Sequence, residues 1–495
     1  MKNFLPMLNV LSQSLVLVLL GVVISFTRCT SPQENETSLS KTKPNIIYIL
    51  ADDLGYGDLS CYGQATLSTP RIDQLAKEGM RLNNHYTGAT VCAPSRASLL
   101  TGLHTGHVSV RANQSGQLLE EHEVTVAEGL KSTGYITGVI GKWGVGHPPP
   151  PDDPQRNGFD FAYGYLNMWH AHNFYPEFLY RNGKKEMLKG NQTILVDGKN
   201  PWADRPEGTG VAETKTTYTH DLFEKEALSF ISDHQDTSFF LYVAFNIPHA
   251  NNEHPTNGME VPDYGQFASQ DWPEPEKGFA SMIQRLDNSV GAIVDKVDQL
   301  GLSENTLIIF CSDNGPHQEG FHKMEFFNSN GTLRGMKRDL YEGGVRTPFI
   351  ARWPGHIEAN TQSDHLSAFW DFLPTVCELI EAPIPEDIDG ISYLPTLLGD
   401  EKSQQQHKYL YWEFYELGGR QSVLKDQWKA VRYNVRDDNP PPTELYNLKN
   451  DDSEQQNVAA DHPELVSEME LYMDEAHTPL AGFPLFQMTT EAATQ

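Results

Sequence analysis

Four unbroken apolar segments, each followed by reactive polar residues, dominate the hydrophobic pattern of the chain. They read NIIYILADD (45–53), YITGVIGKWG (135–144), SFFLYVAFNIPH (238–249) and TLIIFCSDNG (306–315). Apolar runs of this kind are typical of parallel strands that helices cover on both faces. Amphipathic stretches such as PRIDQLAKEGM, HDLFEKEALSFISDH and FASMIQRLDNSVGAIVDKVDQLG predict helices between them, the last ending at Gly301. The alternation predicts an α/β fold with a large, mostly parallel sheet between helices.

The pattern changes near Lys408, where shorter alternating segments begin. KYLYWEFY, QSVLKDQWKAVRYN and TELYNL predict a small antiparallel sheet, and a helix is predicted near 463–475. We therefore expect a catalytic domain over 44–385 and a C-terminal subdomain over 386–495. Residues 145–215 and 250–277 are rich in Pro, Gly, Asn and aromatic side chains, and we interpret them as long loops that shape a substrate pocket.

The N-terminal pattern predicts export. Lys2 precedes an apolar run that ends in LVLVLLGVVISF, which has the proportions of a signal peptide over 1–28. The alternative is an uncleaved membrane anchor. Cys29 stands where a lipoprotein signal places its acylated cysteine, and a polar tether over 29–43 follows. We expect a periplasmic, outer-membrane lipoprotein or extracellular protein, with membrane contact only through such a lipid.

Charge and cysteine content narrow the functional classes. The net charge of −29 repels nucleic acid and anionic polymers on average, so an anionic substrate needs a local basic pocket. The simpler interpretation of the acidic excess is a solvated surface. The chain has five cysteines and no C-x-x-C pair, which argues against a disulfide framework.

The carboxyl ends of the predicted strands carry the candidate chemistry. They deliver Asp52, Asp53, Lys142, His249, Asp313 and Asn314 to one edge of the sheet, where ligands bind in open α/β folds. An Asp-Asp pair after a strand is by itself more often a turn or a helix cap. The second pair, Asp313 and Asn314, favours a metal site with oxygen ligands, and we expect one Ca2+ per chain rather than Mg2+.

One sequence motif indicates a particular chemistry far more specifically than these strand-end residues do. Cys92-Ala-Pro-Ser-Arg96, continued to Thr101-Gly102, matches the C-x-P-x-R-x-x-x-x-T-G signature, and the chain resembles the formylglycine-dependent sulfatases of the alkaline phosphatase superfamily. ADDLGYGDLSCYG, GKWG, NIPHA, CSDNG and GMKRDLYEGGVRTP resemble further blocks of that family in the family's order. Pro94 and Gly102 also predict a short helix that begins near residue 92, where an anion is favoured. Without the other blocks, a buried cysteine before a helix would be the simpler interpretation.

The resemblance implies a mechanism. A formylglycine-generating or radical maturase would oxidise Cys92 to formylglycine, and the hydrated aldehyde would join Asp52, Asp53, Asp313 and Asn314 at the metal. The diol would attack sulfur in line, and sulfate would then be eliminated as the aldehyde re-forms. The same resemblance assigns Arg96 to support of the diol, Lys142 and Lys337 to the sulfate oxygens, and His249 to protonation of the leaving alcohol.

The sequence departs from the commonest family pattern at Gly144, where many members have the histidine that deprotonates the second diol hydroxyl. We leave that base unassigned, and His147 is a candidate substitute. His170, His172 and Arg334 are candidates for sugar contacts because they lie in or beside predicted pocket loops.

The expected function is hydrolysis of sulfate esters on a sulfated oligosaccharide or polysaccharide by an exo-acting enzyme, with algal polysaccharide degradation as the expected setting. A phosphatase or phosphodiesterase of the same superfamily is the enzymatic alternative, because the metal and lysines also suit phosphate. An inactive carbohydrate-binding relative is the alternative from another class, motivated by Gly144. The pattern leaves open which sugar and which hydroxyl carry the sulfate.

Overall fold

A ten-stranded sheet lies at the centre of the computed structural model, which describes residues 43–114, 117–145 and 153–486. All four predicted strands belong to it, and together with β5 they form its parallel centre. In spatial order the sheet comprises β13 (Thr361–Ser363), β2 (Met80–Leu82), β12 (Phe349–Arg352), β11 (Thr306–Ser312), β1 (Asn45–Ala51), β10 (Phe239–Ala244), β4 (Ile136–Lys142), β5 (Phe161–Tyr165), β6 (Phe178–Arg181) and β7 (Lys184–Met187).

The central strands are buried on both faces, which explains their unbroken apolar sequences. In β1, Ile47 and Ile49 face one apolar core, whereas Ile46, Tyr48 and Leu50 face the other. Side chains alternate across a strand, so a strand covered on both sides needs apolar residues at every position. The predicted α/β architecture is therefore confirmed.

Helices form the two outer layers of the fold. The helices are α1 (Pro70–Lys77), α2 (Cys92–Thr101), α3 (Val126–Ser132), α4 (Thr219–Asp233), α5 (Glu274–Gln299), α6 (Met324–Phe327), α7 (Glu342–Val345), α8 (Phe372–Leu379), α9 (Leu394–Leu397) and α10 (Pro463–Glu475). Helices α1, α4 and α5 contribute to the first core, and α2, α3 and α8 contribute to the second. Gly301 follows α5 with a φ of +70°, as expected for a glycine that ends a helix.

The interpretation of residues 145–215 as loop is wrong in part. Strands β5, β6 and β7 lie within this segment and extend the main sheet beyond β4. Two short pairs lie outside the main sheet: β3 (His85–Tyr86) with β14 (Ser367–Ala368), and β8 (Gln192–Thr193) with β9 (Ala212–Thr214).

The C-terminal residues form the predicted antiparallel sheet and helix. Its strands are β15 (Leu410–Phe414), β16 (Arg420–Lys425), β17 (Trp428–Tyr433) and β18 (Glu444–Asn447), paired in sequence order. One face packs against α10, and the other shares an apolar core with Tyr86, Val91 and Leu340 of the preceding chain. The small sheet is therefore fixed directly beside the segment that leads into α2.

The described residues include no helix that is long and apolar enough to cross a membrane. The predicted signal peptide, Cys29 and the tether up to residue 42 lie outside the described residues, as does His147.

Candidate active site

Two neighbouring strands bring four oxygen-bearing side chains to one point. Ala51 at the end of β1 lies beside Ser312 at the end of β11, so Asp52 and Asp53 meet Asp313 and Asn314 directly after the sheet. The Asp53 N–H donates to Asp313 Oδ1 at 3.1 Å, and all four residues are buried. Asp53 has a φ of +65°, a left-handed conformation that is strained for most residues and found often at functional sites.

Cys92 is the first residue of α2, as the motif predicted. Pro94 occupies the first turn, and Gly102 ends the helix with a φ of +76°. The Cys92 thiol lies 3.3 Å from Asp52 Oδ1 and 4.0 Å from Asp53 Oδ1. Burial, followed by the charge of Asp52, raises the pKa of the thiol well above its ordinary value. An unmodified Cys92 would therefore be a protonated, poor nucleophile.

Arg96 lies one helical turn after Cys92 and faces the same site. Its Nε and Nη2 donate to Asp313 Oδ2 at 3.0 and 2.7 Å, and its Nη1 donates to the Lys142 carbonyl at 2.6 Å. Burial and repulsion from Asp52 raise the pKa of Asp313 to about 7, despite the opposing charge of Arg96. Arg96 thus fixes Asp313 and the end of β4 relative to α2.

Two buried lysines hold the carboxylates of β1. Lys142 Nζ donates to both oxygens of Asp52, at 3.0 and 2.7 Å, and Lys337 Nζ donates to Asp53 Oδ2 at 2.7 Å. Burial, the largest single effect, favours protonation of both aspartates, but the lysines together with the other positive neighbours lower the pKa of each, that of Asp52 strongly. The site therefore holds buried cations in direct contact with its carboxylates, inside an acidic protein.

His249 follows β10 and points toward Lys337. Its Nδ1 lies 2.7 Å from the Ala250 carbonyl, which accepts a hydrogen bond from the protonated Nδ1, so Nε2 is the acceptor of the neutral ring. Lys337 Nζ lies 3.2 Å from Nε2 and donates to it. Burial, then the charge of Lys337, lowers the pKa of His249 to about 3, so the ring is neutral near pH 7.

The residues around Asp53 include candidate ligands for a divalent cation. Asn314 Oδ1 is buried without a hydrogen-bond partner, although Asn314 Nδ2 donates to Asp53 Oδ1 at 2.7 Å. Ligand atoms of Asp52, Asp53, Cys92 and His249 lie within 4.8 Å of one another. This group contains three of the predicted ligand residues, Asp52, Asp53 and Cys92, with His249 in place of Asp313. An orphaned amide oxygen beside carboxylates is accounted for by a hard cation.

The predicted sugar contacts occupy different environments. His172 stacks on His249 with 4.8 Å between ring centroids, and its Nδ1 lies 3.2 Å from Glu253 Oε2. His170 is fully buried against Tyr165 and Phe178, so the assignment of a sugar contact to it is wrong.

Arg334 is held away from the carboxylate cluster. Its guanidinium lies 3.7 Å from the ring centroid of Tyr341, and its Nη1 donates to Tyr446 Oη and the Glu454 carbonyl, both at 2.9 Å. These partners include residues of the C-terminal sheet. These packing contacts explain the position of Arg334 without a sugar. A sugar contact by Arg334 therefore stays a prediction.

Sequence reasoning missed Glu319 and Arg338. Glu319 Oε2 accepts from Lys337 Nζ at 3.0 Å and lies 3.8 Å from His249 Nε2, while its Oε1 accepts from Arg338 Nη1 at 2.6 Å. In the sequence, only their positions could have indicated these two residues. Glu319 shares the loop after β11 with Asp313, and Arg338 follows Lys337.

Gly144 lies at the site with a φ of +66°. A Cβ atom there would lie 3.4 Å from Arg96 Cδ and from Lys142 Cε, so a side chain would project among the cations. The left-handed backbone favours glycine at this position.

Comparisons with known proteins show which family the chain resembles. The family model described as Sulfatase matches residues 44–382, and the one described as N-sulphoglucosamine sulphohydrolase, C-terminal, matches residues 335–478. N-acetylgalactosamine-6-O-sulfatase of Bacteroides thetaiotaomicron is 31% identical, over 94% of this chain and 99% of that relative. Human arylsulfatase A is 36% identical, over 78% of this chain and 74% of its own length.

Solved structures show the same fold. A Bacteroides thetaiotaomicron structure described under the metabolism of multiple glycosaminoglycans has a TM-score of 0.70 and 28% identity, over 88% of this chain and 99% of its own. Ps i-CgsB in complex with k-i-k-neocarrahexaose has a TM-score of 0.72 and 26% identity, over 91% of this chain and 96% of its own.

Proposed function

Because the chain belongs to the sulfatase family and is a sulfuric ester hydrolase, we propose that it removes sulfate from a sulfated oligosaccharide or polysaccharide by means of a formylglycine made from Cys92. The observation that carries this proposal is the position of Cys92. It begins α2 at 3.3 Å from Asp52, within a buried group of carboxylates and lysines. A maturase of the formylglycine-generating or radical type is the partner that this modification requires.

The metal ligands would be oxygens of Asp52, Asp53, Asp313, Asn314 and the modified residue 92. We propose one Ca2+ rather than Mg2+, because four protein oxygens from two loops suit an ion that tolerates irregular geometry. When bound, the ion polarises the sulfate and favours ionisation of the formylglycine hydroxyl. The orphaned Asn314 Oδ1 supports this assignment.

The nucleophile requires two hydroxyls on one carbon. A hydrated aldehyde supplies one hydroxyl that attacks sulfur and a second whose deprotonation releases sulfate, whereas a thiol supplies neither. Arg96 holds Asp313 and the Lys142 carbonyl, and this keeps residue 92 oriented toward the carboxylates. Gly144 provides no base for the second hydroxyl, and we leave that role unassigned.

Lys142 and Lys337 would hold the sulfuryl oxygens. Each lies buried against an aspartate, so its charge is preorganised in a region of low dielectric where it stabilises negative charge in the transition state. Once protonated in the enzyme–substrate complex, His249 would donate a proton to the leaving alcohol from Nε2, the ring nitrogen that faces Lys337. An anionic ester beside His249 would raise its pKa, which favours this role in the enzyme–substrate complex.

The leaving group is proposed to be a sugar of a sulfated galactan or glycosaminoglycan, with algal polysaccharides as the first candidates. The complex of Ps i-CgsB with a neocarrahexaose and the N-acetylgalactosamine-6-O-sulfatase relative support this substrate class. His172, stacked on His249, is proposed to contact the sugar from the pocket wall. We also propose exo action and export, the latter from the apolar segment over 1–28.

The test combines mass spectrometry with kinetics. A tryptic peptide that contains residue 92 should show an aldehyde in place of the thiol, and Cys92→Ala should lower sulfate release by about 10³-fold or more. Cys377→Ala is the matched control, because Cys377 is also buried but belongs to α8. Substrates should include sulfated carrageenan and chondroitin oligosaccharides, 4-nitrophenyl sulfate and 4-nitrophenyl phosphate. An active preparation with an unmodified thiol, or preferential cleavage of the phosphate, would contradict the proposal.

A further inference from the structure

Arg338 is a partly exposed cation beside the buried site. Its neighbour Lys337 is buried against Asp53, whereas the Arg338 side chain is 39% exposed. Glu319 joins the two residues, since one of its oxygens accepts from Lys337 Nζ and the other from Arg338 Nη1. Arg338 is therefore tied to the catalytic cations through a single carboxylate.

The backbone of Arg338 is held in a conformation that arginine rarely adopts. Its φ is +79°. The Arg338 N–H donates to the Thr90 carbonyl at 3.0 Å, and the Arg338 carbonyl accepts from Arg420 of β16. Thr90 precedes Cys92 by two residues, so this strained position is fixed between the nucleophile segment and the C-terminal sheet. Strain that the surroundings maintain is concentrated at functional sites.

The guanidinium is connected to Lys337 through Glu319. Burial lowers the pKa of Arg338, but Glu319, then Asp53 and Cys92, raise it above the ordinary value. A guanidinium has five N–H donors in a planar fork. One N–H donor of Arg338 binds Glu319 at 2.6 Å. Because the Arg338 side chain is partly exposed among the described residues, solvent can reach further N–H donors.

In the proposed function, Lys142 and Lys337 hold the scissile sulfate. These two lysines and Arg96 are all at most 4% exposed and lie around Asp52, Asp53 and Asp313. A chain with a net charge of −29 would repel any further anionic group on a substrate unless a local cation met it. Arg338, the residue after Lys337 in the sequence, is a partly exposed cation next to these buried ones.

We propose that Arg338 binds a second anionic group of the substrate, a sulfate ester or a carboxylate on the sugar beside the scissile sulfate, and that it thereby selects multiply charged oligosaccharides. This inference rests on the proposed function. The planar fork suits bidentate recognition of either oxyanion.

Binding should be measured by calorimetry with the full chain in a Cys92→Ala background, which prevents turnover. One arm compares κ-neocarrabiose with ι-neocarrabiose, which carries a second sulfate. The other compares N-acetylgalactosamine 6-sulfate with the chondroitin 6-sulfate disaccharide, which adds a uronate. Arg338→Gln should weaken binding of the doubly charged member of at least one pair by about tenfold or more, and that of the singly charged member by no more than about twofold.

Arg71→Gln is the matched control, because the Arg71 side chain is 40% exposed and pairs with Asp295 at 2.6 Å, on α1 and α5. It should leave all four affinities unchanged. Arg338→Lys should restore part of the preference, and salt should weaken the preference of the parent protein. Thermal melting of each variant reports any general loss of folding.

A preference in the neocarrabiose arm indicates that Arg338 binds a sulfate, whereas a preference in the chondroitin arm indicates that it binds a carboxylate. The inference is overturned when the parent protein shows no preference for the second charge in either arm, or when Arg338→Gln weakens both members of each pair equally. Failure of the proposed function has a different signature, since the Cys92 enzyme would then release no sulfate from any of the four sugars while the binding preference is still measured.

Discussion

Two buried groups of charged residues in this protein differ in how completely their oxygen atoms are paired. The catalytic cluster comprises Asp52, Asp53, Asp313 and Asn314 with Arg96, Lys142 and Lys337. The C-terminal ion cluster comprises Glu342, Glu454 and Lys429, which are all fully buried. The two clusters have similar components, and what distinguishes them is whether every oxygen has a partner within the fold.

The C-terminal ion cluster is closed by hydrogen bonds and ion pairs together, since Glu454 Oε1 accepts no hydrogen bond but forms an ion pair with Lys429. Lys429 Nζ lies 2.7 Å from Glu342 Oε1 and 3.4 Å from Glu454 Oε1, and Tyr86 Oη donates to Glu342 Oε2 at 2.9 Å. The Glu342 N–H donates to Glu454 Oε2 at 2.7 Å. Burial raises the pKa of Glu454 to about 7, with Lys429 opposing and Glu342 reinforcing the change. One lysine and one shared proton thus balance two carboxylates.

The catalytic cluster is left open. Asn314 Oδ1 has no partner, and burial with Asp52 raises the pKa of Asp313 to about 7. A cluster whose oxygens are incompletely satisfied has affinity for a cation, whereas a closed cluster fixes the packing of the chain segments that meet there. The comparison predicts that the two clusters respond to different perturbations.

The largest expected effect is removal of the metal from the catalytic cluster. Chelation with EGTA should lower activity by about 10²-fold or more and lower the melting temperature, because the ion stabilises transition-state charge and binds only the folded chain. Added Ca2+ should restore both. Asn314→Ala should raise the Ca2+ concentration needed by at least about tenfold. Full activity in protein shown by elemental analysis to lack divalent metal would contradict this prediction.

Breaking the closed cluster should affect stability instead. Lys429→Met leaves two buried carboxylates without their cation and should reduce the free energy of unfolding by about 3–5 kcal/mol. Denaturant unfolding measures this loss. Lys425→Met on the same sheet is the control, since Lys425 pairs with Glu468 near the surface and should contribute at most about 1 kcal/mol. Equal effects of the two substitutions would refute the distinction.

Glu454 should make stability depend on pH. Its pKa rises from an ordinary 4.5 to about 7 on folding, so between these values the folded chain holds a proton that the unfolded chain has released. Stability contributed by this group is therefore complete below about pH 4.5 and falls as the pH rises, by about 3 kcal/mol above pH 7.

Glu454→Gln removes this titration. The difference in unfolding free energy between the parent protein and Glu454→Gln, measured from pH 4.5 to 8, should change in favour of the variant as the pH rises. A difference that stays constant over this range would show that Glu454 does not titrate there.

The smallest expected effect concerns Arg334, which lies three residues before Lys337 and contacts residues of the C-terminal sheet. Arg334→Ala removes the stacking on Tyr341 and the hydrogen bonds to Tyr446 and Glu454, and it should reduce the free energy of unfolding by about 1–2 kcal/mol. The KM should not change. A raised KM at unchanged stability would instead support the sugar contact predicted from the sequence.

Much of the fold follows from local sequence pattern. The strands β1, β4, β10 and β11 are apolar at consecutive positions, and this property depends only on their being covered on both faces. Strands β5, β6 and β7 gave no such signal because their sequences, FAYGY, FLYR and KKEM, are short. These segments form strands because they add to the edge of a sheet whose centre consists of other parts of the chain.

The sequence alone determined the chemical groups of the site, because Cys92, Asp52, Asp53, Asp313 and Asn314 occur in motifs at strand ends and at a helix start. Only the tertiary structure decided how loops use their side chains. It placed Glu319 and Arg338 at the pocket, buried His170 among aromatic rings, and joined Arg334 to the C-terminal sheet. Periodicity along the chain reports local burial, whereas contacts between residues far apart in sequence depend on the packing of whole elements.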